Sequence, residues 1–487
     1  MSLTFDPASV VLPGGHFIAG RFVPGQGAFT LHRPSDGVAY WQSPIADAAL
    51  VDEAVASARQ ALATSGWGRI RPRERTKALQ RWADLIEADA PYLGRLEALS
   101  STRPIAEVGE FDIAITAEQI RFFAEMADKE GGVLAPTDAA SFGMVMDEPY
   151  GVIGAITPWN FPLSMAGWKL APALAAGNAV VLKPSEMTPF SSLRIAELAI
   201  EAGLPPGLIN IVLGDGPTTG TALVCHPGIA KVSFTGSTGA GSAIMQAIGR
   251  TGVKPMTLEL GGKSPQVVFA DADLERAALA IARGILANGG QACVAGSRLI
   301  VQRSVAEAVI ATILRQMEAI RPGPTWEEDS RFAPIISGRQ LARIDSIVAA
   351  ARAAGAESLT GGAALQRPGY FYAPTLLTGV DASSPAVTQE IFGPVLTVEL
   401  FDEEEEALAL ADHPTYGLAA GLYTQDLART MRVIQRLQAG TVWVNRYGRS
   451  RDHILPTGGY KQSGIGKDLG REAYRANRQS KSVLIGL

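Results

Sequence analysis

The sequence predicts an α/β protein with two sheet-bearing domains and a small β-arm. One run of strand, turn and helix signals starts near Gly151, a second starts at Pro265, and two strand-like segments stand apart from both. Strands that alternate with helical segments imply crossover connections, and therefore parallel sheets.

Residues 1–130 carry helical patterns. Val51, Ala54, Val55, Ala58 and Leu62 recur at helical spacing, as do Leu79, Trp82, Ala83 and Ile86 behind Pro72, a residue suited to a first helical turn. Strands follow at 152–156, 179–182, 209–213, 231–234 and 257–260, several of them separated by helical stretches. Gly261-Gly262 marks the join to the second run. There residues 265–269 form a strand, Asp271-Ala272-Asp273 can cap a helix bearing Leu274, Ile281 and Ile285 on one side, and Cys293 follows in a loop. Further strands are expected at 299–301, 395–400, 421–423 and 441–444. The acidic run 402–406 suits a solvated helix start, where carboxylates meet the positive end of the helix dipole. Residues 142–146, reached through Gly131-Gly132, and 481–485 have few local strand partners. They are expected to pair as an arm for subunit contact, since unpaired edges invite strand addition.

At 487 residues and 47% hydrophobic content, the chain can fill about three domain-sized cores of ~150 residues each. A formal net charge of -5 offers no cationic footprint for nucleic acid, so no such partner is expected. Two cysteines, Cys225 and Cys293, are too few for a disulfide framework and point to a reducing compartment, where a thiol stays available. The N-terminus lacks a basic region followed by an apolar stretch, and no apolar run approaches the ~20 residues of a membrane span. A cytoplasmic location without a membrane partner is therefore expected. The five histidines and two cysteines give no metal-ligand spacing, so no catalytic metal is expected.

The chemistry concentrates around Cys293, in Asn288-Gly289-Gly290-Gln291-Ala292-Cys293-Val294-Ala295-Gly296. Small residues flank the sulfur and leave room for a substrate. A free thiol has a pKa of about 8.5, so a nucleophilic cysteine depends on its surroundings for ionisation. Cys225, in Leu223-Val224-Cys225-His226, reads as packing. Glu259 ends an apolar strand just before Gly261-Gly262, where burial raises a carboxyl toward the range useful to a general base. Asn160, flanked by Pro158 and Pro162, is held where its amide can donate to an oxyanion, a contact worth ~3 kcal/mol when preorganised. Lys183-Pro184-Ser185-Glu186 follows a strand at its carboxyl end, where open α/β sheets bind nucleotides. Gly236 and Ser237 also follow a strand and open a helix, which suits contact between backbone N–H groups and a pyrophosphate.

In this order the segments resemble the NAD(P)-dependent aldehyde dehydrogenase superfamily over nearly the whole chain. The matching motifs are ITPWNFP at 156–162, KPSE at 183–186, FTGST at 234–238, LELGGK at 258–263, GQAC at 290–293, EIFGPV at 390–395 and GGYKQSGIGK at 458–467. The resemblance implies a Rossmann-like cofactor-binding domain over 1–130 and 150–261 and an α/β catalytic domain over 262–461. It further implies an oligomerisation arm from 131–149 and 478–487, with 462–477 returning toward the cofactor domain. Cys293 would attack an aldehyde, Asn160 and the Cys293 backbone N–H would hold the oxyanion, and Glu259 would activate water to release a carboxylic acid from a thioester. By the same resemblance, Lys183 and Glu186 would hold the adenosine ribose and Glu390 the nicotinamide ribose. Gly236, Ser237 and Trp159 would also contact the cofactor, with Phe392 near the nicotinamide. NAD is the expected cofactor, because Glu186 accepts from a ribose 2′-hydroxyl and repels a 2′-phosphate by about 1 to 4 kcal/mol at ~4 Å. NADP is the weaker alternative, since Lys183 tempers that repulsion. A homodimer or homotetramer is expected, with a small-molecule aldehyde as substrate.

Phe161, Met165, Trp168 and Thr457 are expected in the substrate pocket. Thr457 departs from the aromatic residue frequent in the family, which implies a wider or more polar pocket. Asp468 stands where a second glutamate is frequent, and its shorter side chain bears on any proton relay. Arg446, Arg449 and Arg451 lie in the loop 445–453, where one of them could attract a carboxylate-bearing or otherwise polar aldehyde or all could be solvated. A coenzyme A-acylating semialdehyde dehydrogenase is the alternative activity; Glu259 argues for water as the acyl acceptor instead. A Cys/His hydrolase finds no partner motif among the histidines.

Overall fold

The computed structural model describes residues 2–25, 27–450 and 452–487. Among the described residues, the first sheet runs in spatial order Arg21–Val23, His16–Ile18, Ile209–Ile211, Ala179–Lys183, Val152–Ile156, Lys231–Thr235, Met256–Glu259 and Gly464–Ile465. The strands from Ile209–Ile211 to Met256–Glu259 are mutually parallel. They are buried on both faces, which is why their sequences read as near-continuous apolar runs. Chain order leaves Val152–Ile156 first to one side and then to the other, so the switch point lies between that strand and Lys231–Thr235. A doubly wound sheet offers a nucleotide its crevice at such a point, outside the carboxyl ends.

The helices that cover this sheet begin and end where local chemistry requires. Asp47 accepts from Leu50 N at 2.9 Å to cap Ala48–Ser65, and Gly66 closes that helix at φ 62. Pro72 opens Pro72–Ala88, whose Leu79, Trp82, Ala83 and Ile86 join the core beneath the sheet. The N-terminal region is not wholly helical, however. His16–Ile18 and Arg21–Val23 form a hairpin turned by Ala19 and Gly20, both in left-handed conformation, and the hairpin extends the sheet edge antiparallel to Ile209–Ile211. A second hairpin joins Gly27–His32 to Ala39–Pro44. These short runs carry little period-two signal.

The second sheet runs Glu357–Thr360, Thr375–Thr378, Val395–Phe401, Arg298–Gln302, Pro265–Val268, Ala419–Tyr423 and Thr441–Val444. All its neighbours are parallel except the first pair. Glu357–Thr360 and Thr375–Thr378 have no counterpart in the sequence reading. The acidic run starts the helix Glu404–Ala411 through a Glu403/Glu406 capping box, and its carboxylates pair with Arg429, Arg432 and Arg436.

Ser141–Pro149 and Arg478–Gly486 pair antiparallel along their full length, and Val133–Ala135 adds a third strand. Val133, Leu134, Phe142, Met146, Leu484 and Ile485 are exposed on this arm. Among the described residues, no helix is long and apolar enough to cross a membrane.

Candidate active site

Glu259 ends a strand of the first sheet, and Gly262 lies just before Pro265–Val268 of the second. Cys293 precedes Arg298–Gln302, and Glu390 precedes Val395–Phe401. The carboxyl ends of one sheet therefore meet the amino ends of the other across a cleft.

Cys293 reaches that cleft because the helix Leu274–Leu286 gives way to left-handed backbone at Asn288, Gly289 and Gly290. A Cβ on Gly290 would stand 2.0 Å from the Gly393 carbonyl oxygen, so the turn tolerates no side chain there. The sulfur is half-buried among Val294, Leu418, Ala419, Trp443 and Tyr447. Desolvation pushes the thiol up to about 11, with Arg449 pulling it down and Glu390 and Glu259 adding to the rise.

Asn160 is fixed by a buried amide network. Its Nδ2 donates to Gln291 O at 2.9 Å, while Asn288 Nδ2 donates to Asn160 O at 2.8 Å. Gln291 is itself held, donating to Pro334 O at 2.8 Å and accepting from Ile336 N at 3.0 Å. Thr102 Oγ1 donates to Asn288 Oδ1 at 2.6 Å. This leaves the second Asn160 N–H for another acceptor.

Glu259 is buried, and its Oε1 has no hydrogen-bond partner among the described residues. Burial holds its carboxyl well above the usual range; Asp468 adds to the rise, while Lys169, Arg449 and Lys467 oppose it. A Cβ on Gly458 would come within 2.9 Å of Glu259 Oε1. Beside it, Lys169 Nζ donates to Asp468 Oδ2 at 2.5 Å, with both side chains buried. The shorter acid at 468 therefore still reaches this lysine.

The side chains expected at the cofactor lie along the cleft. Lys183 Nζ donates to Pro184 O at 3.0 Å and to Glu186 Oε2 at 3.5 Å, and burial lowers its pKa. Glu186 keeps 34% of its side chain exposed. Gly236 N donates to Glu259 O at 3.0 Å, and Ser237 caps the helix Thr238–Thr251, accepting from Ala240 N at 3.2 Å. Glu390 Oε1 accepts from Gly262 N at 3.0 Å. A Cβ on Gly261 would fall 2.4 Å from Glu390 Oε2. Trp159, from the first sheet, meets Phe392, from the second, edge to face with centroids 5.2 Å apart.

The expected pocket residues divide. Arg103 covers Phe161 at 4.8 Å and is neutralised by Asp112 and Glu107 at 3.0 and 2.8 Å. Met165 and Trp168 pack into the first core, yet the Arg449 guanidinium lies over the Trp168 ring at 5.1 Å and its Nη2 donates to Thr457 Oγ1 at 2.8 Å. Arg446 is exposed, and Arg451 lies outside the described residues.

A model of the aldehyde dehydrogenase family matches residues 22–483. The chain belongs to that family. Its structure superposes on indole-3-acetaldehyde dehydrogenase complexed with NAD+ at a TM-score of 0.96, with 39% identity, covering 99% of this chain and 98% of that one. It is similar to gamma-glutamyl-gamma-aminobutyraldehyde dehydrogenase from Burkholderia cenocepacia J2315, with a TM-score of 0.96, 40% identity and coverage of 99% and 98%. An NAD+ complex of the aldehyde dehydrogenase from Bacillus cereus gives a TM-score of 0.96 at 38% identity, covering 100% of both chains.

For an aldehyde dehydrogenase, the parts that sequence reasoning missed here are Gln291, Asn288 and Thr102, which position Asn160 across long stretches of chain. The left-handed turn before Cys293 was their one local signal, since Asn and Gly are the residues that accept such backbone. Among the described residues, no group of three or more His, Cys, Asp or Glu is placed to hold a metal ion.

Proposed function

We propose that this aldehyde dehydrogenase oxidises an aldehyde to the carboxylic acid with NAD through a covalent cysteine intermediate. The convergence of Cys293, the spare N–H of Asn160 and the unpartnered Glu259 carboxyl on one cleft carries this reading.

Thiolate is scarce at neutral pH when the thiol is held this high, so attack requires loss of the proton to a base. Glu259, whose charge is felt at the sulfur, is the group placed to receive it. The sulfur bonds to the carbonyl carbon, and the C=O π pair moves to oxygen, where the Asn160 amide and the Cys293 backbone N–H hold the charge. NAD, when bound, would supply the hydride acceptor, and loss of that hydride would leave this carbon as a thioester. Glu259 passes the first proton to solvent and then takes one from water as the water oxygen attacks; the C–S bond breaks, the acid departs, and Glu259 returns its proton to the sulfur. One aldehyde, one NAD and one water thus give one carboxylic acid, one NADH and one proton, with the sulfur restored.

Lys183 and Glu186 would hold the adenosine ribose, Gly236 and Ser237 the pyrophosphate and Glu390 the nicotinamide ribose, while Trp159 and Phe392 would bound the nicotinamide end. The partly exposed Glu186 carboxylate favours NAD over NADP, and the NAD+ complexes of two relatives support that choice. Residues 1–130 and 150–261 form the cofactor domain, 262–461 the catalytic domain and 462–477 the returning segment. The apolar arm of 131–149 and 478–487 assembles a cytoplasmic homodimer or homotetramer.

The test is NADH and acid formation from aldehyde plus NAD, with and without coenzyme A. Equal amounts of both products without coenzyme A are expected. A requirement for coenzyme A, or turnover independent of NAD, overturns the reading.

A further inference from the structure

Two guanidinium groups lie against aromatic rings of the expected pocket, and only one is neutralised. Arg103, over Phe161, is paired with Asp112 and Glu107. Arg449, over Trp168, has no ion pair among the described residues. Among the described residues its side chain lies over the Trp168 face and donates to the Thr457 hydroxyl, and its Nε is enclosed without an acceptor. A partly buried guanidinium without a carboxylate partner calls for an explanation.

The position narrows that explanation. Thr457, which anchors Nη2, adjoins Gly458, and Gly458 abuts Glu259 Oε1. Arg449 therefore stands on the wall that carries the acyl-releasing carboxyl. Its charge is felt at Cys293, Glu259, Tyr447 and His453. Glu259 forms no ion pair with it, and the Glu259 Oε1 has no hydrogen-bond partner among the described residues. Thr457 occupies one Nη2 hydrogen, and Nη1 has no hydrogen bond within the described protein. The hydrogens left on Nη1 and Nη2 suit the oxygens of a carboxylate, and the guanidinium stacks over Trp168.

We propose that Arg449, held by Thr457 and Trp168, binds the distal carboxylate of a short ω-carboxy aldehyde and so sets the substrate class. The inference rests on the aldehyde-oxidising reading of the preceding section. Arg449 is a specificity residue here: the carbonyl carbon faces Cys293 while the carboxylate end is anchored on the guanidinium.

The experiment compares kcat/KM for 4-oxobutanoate and for butanal, which differ by the carboxylate, in wild type and in Arg449→Met, Arg449→Lys and Thr457→Val. Wild type is expected to prefer 4-oxobutanoate. In Arg449→Met the 4-oxobutanoate/butanal ratio should fall about 10- to 100-fold, the range for a lost charge-assisted pair. Arg449→Lys should recover part of the ratio, and Thr457→Val should lower it by less. Each variant's melting curve separates loss of fold from loss of selectivity, and a folded Arg449→Lys carries the test if Arg449→Met does not fold. Turnover of butanal without a preference for 4-oxobutanoate overturns this inference alone. So does an equal fall for both aldehydes in Arg449→Met, which would assign the residue to the thiol or the oxyanion. Absence of NAD-dependent turnover with both aldehydes overturns the preceding reading and this one with it.

Discussion

Glu259 and Glu390 face the same cleft from opposite sheets, and desolvation raises both carboxyls. They differ in what holds them. Glu390 accepts the Gly262 N–H at 3.0 Å and feels Arg343 and Lys263, which together keep it at about 7. Glu259 has an unpartnered Oε1 and Asp468 as a repelling neighbour. A carboxylate tied to backbone is suited to holding a ligand hydroxyl. One that is untied, with its proton affinity raised by burial, is suited to exchanging protons.

The broadest challenge to this contrast is removal of the sulfur, because the roles proposed for both carboxyls depend on chemistry at Cys293. Cys293→Ala is expected to lower NAD-dependent oxidation by about 10⁴-fold or more while leaving the melting curve near wild type. Steady-state NADH formation measures this, and undiminished turnover would dismiss the covalent route.

Glu259→Gln tests the untied carboxylate itself. Turnover should drop by about 10²- to 10⁴-fold, the usual worth of a general base, and thioester should accumulate on the enzyme. Intact-protein mass spectrometry would detect the acyl adduct. Wild-type turnover should also decline as pH is lowered through the raised Glu259 titration, a limb that the variant's residual rate lacks. Loss of turnover with no acyl adduct would assign Glu259 to the first half of the reaction alone.

Asn160→Ala comes next, with kcat expected to fall about 10²-fold for one lost oxyanion donor. Glu390→Gln should do less, raising KM for NAD about 3- to 10-fold with a smaller change in kcat, as fits a hydrogen bond to a ligand worth ~1 kcal/mol. If the two glutamine variants instead gave matching profiles, the distinction between tied and untied carboxyls would fail.

The smallest effect concerns stability. Glu259 binds its proton more tightly in the folded than in the unfolded chain, so its contribution to stability is full below the ordinary carboxyl pKa of about 4.3 and is lost as pH rises toward the raised value. Glu259→Gln should therefore melt slightly above wild type at neutral pH, with the gain shrinking as pH falls toward about 4.3. Thermal scans at several pH values check the sign.

Much of the architecture was legible because its signals are local. Buried parallel strands such as Val152–Ile156 and Ala179–Lys183 are apolar throughout, and Pro72 and Asp273 mark helix starts by their own chemistry. Gly464–Ile465 escaped notice, since two residues become a strand only when paired with Leu258 and Glu259, far away in the chain. The short strand Val133–Ala135 depends likewise on Ser141–Pro149. The site shows the same division. Cys293, Glu259 and Asn160 stand in motifs, whereas the amides that orient Asn160 are remote from it in sequence.

By itself the sequence determined the α/β class and the family resemblance and marked the candidate reactive side chains, because residue type, spacing and turn chemistry act over a few neighbouring positions. Only the tertiary structure decided that Glu259 stays untied while Glu390 is tied, that Asp468 reaches Lys169, and that Arg449 rather than exposed Arg446 lies over Trp168. Those outcomes follow from desolvation and from contacts between residues far apart in the chain, and neither is encoded in a local pattern.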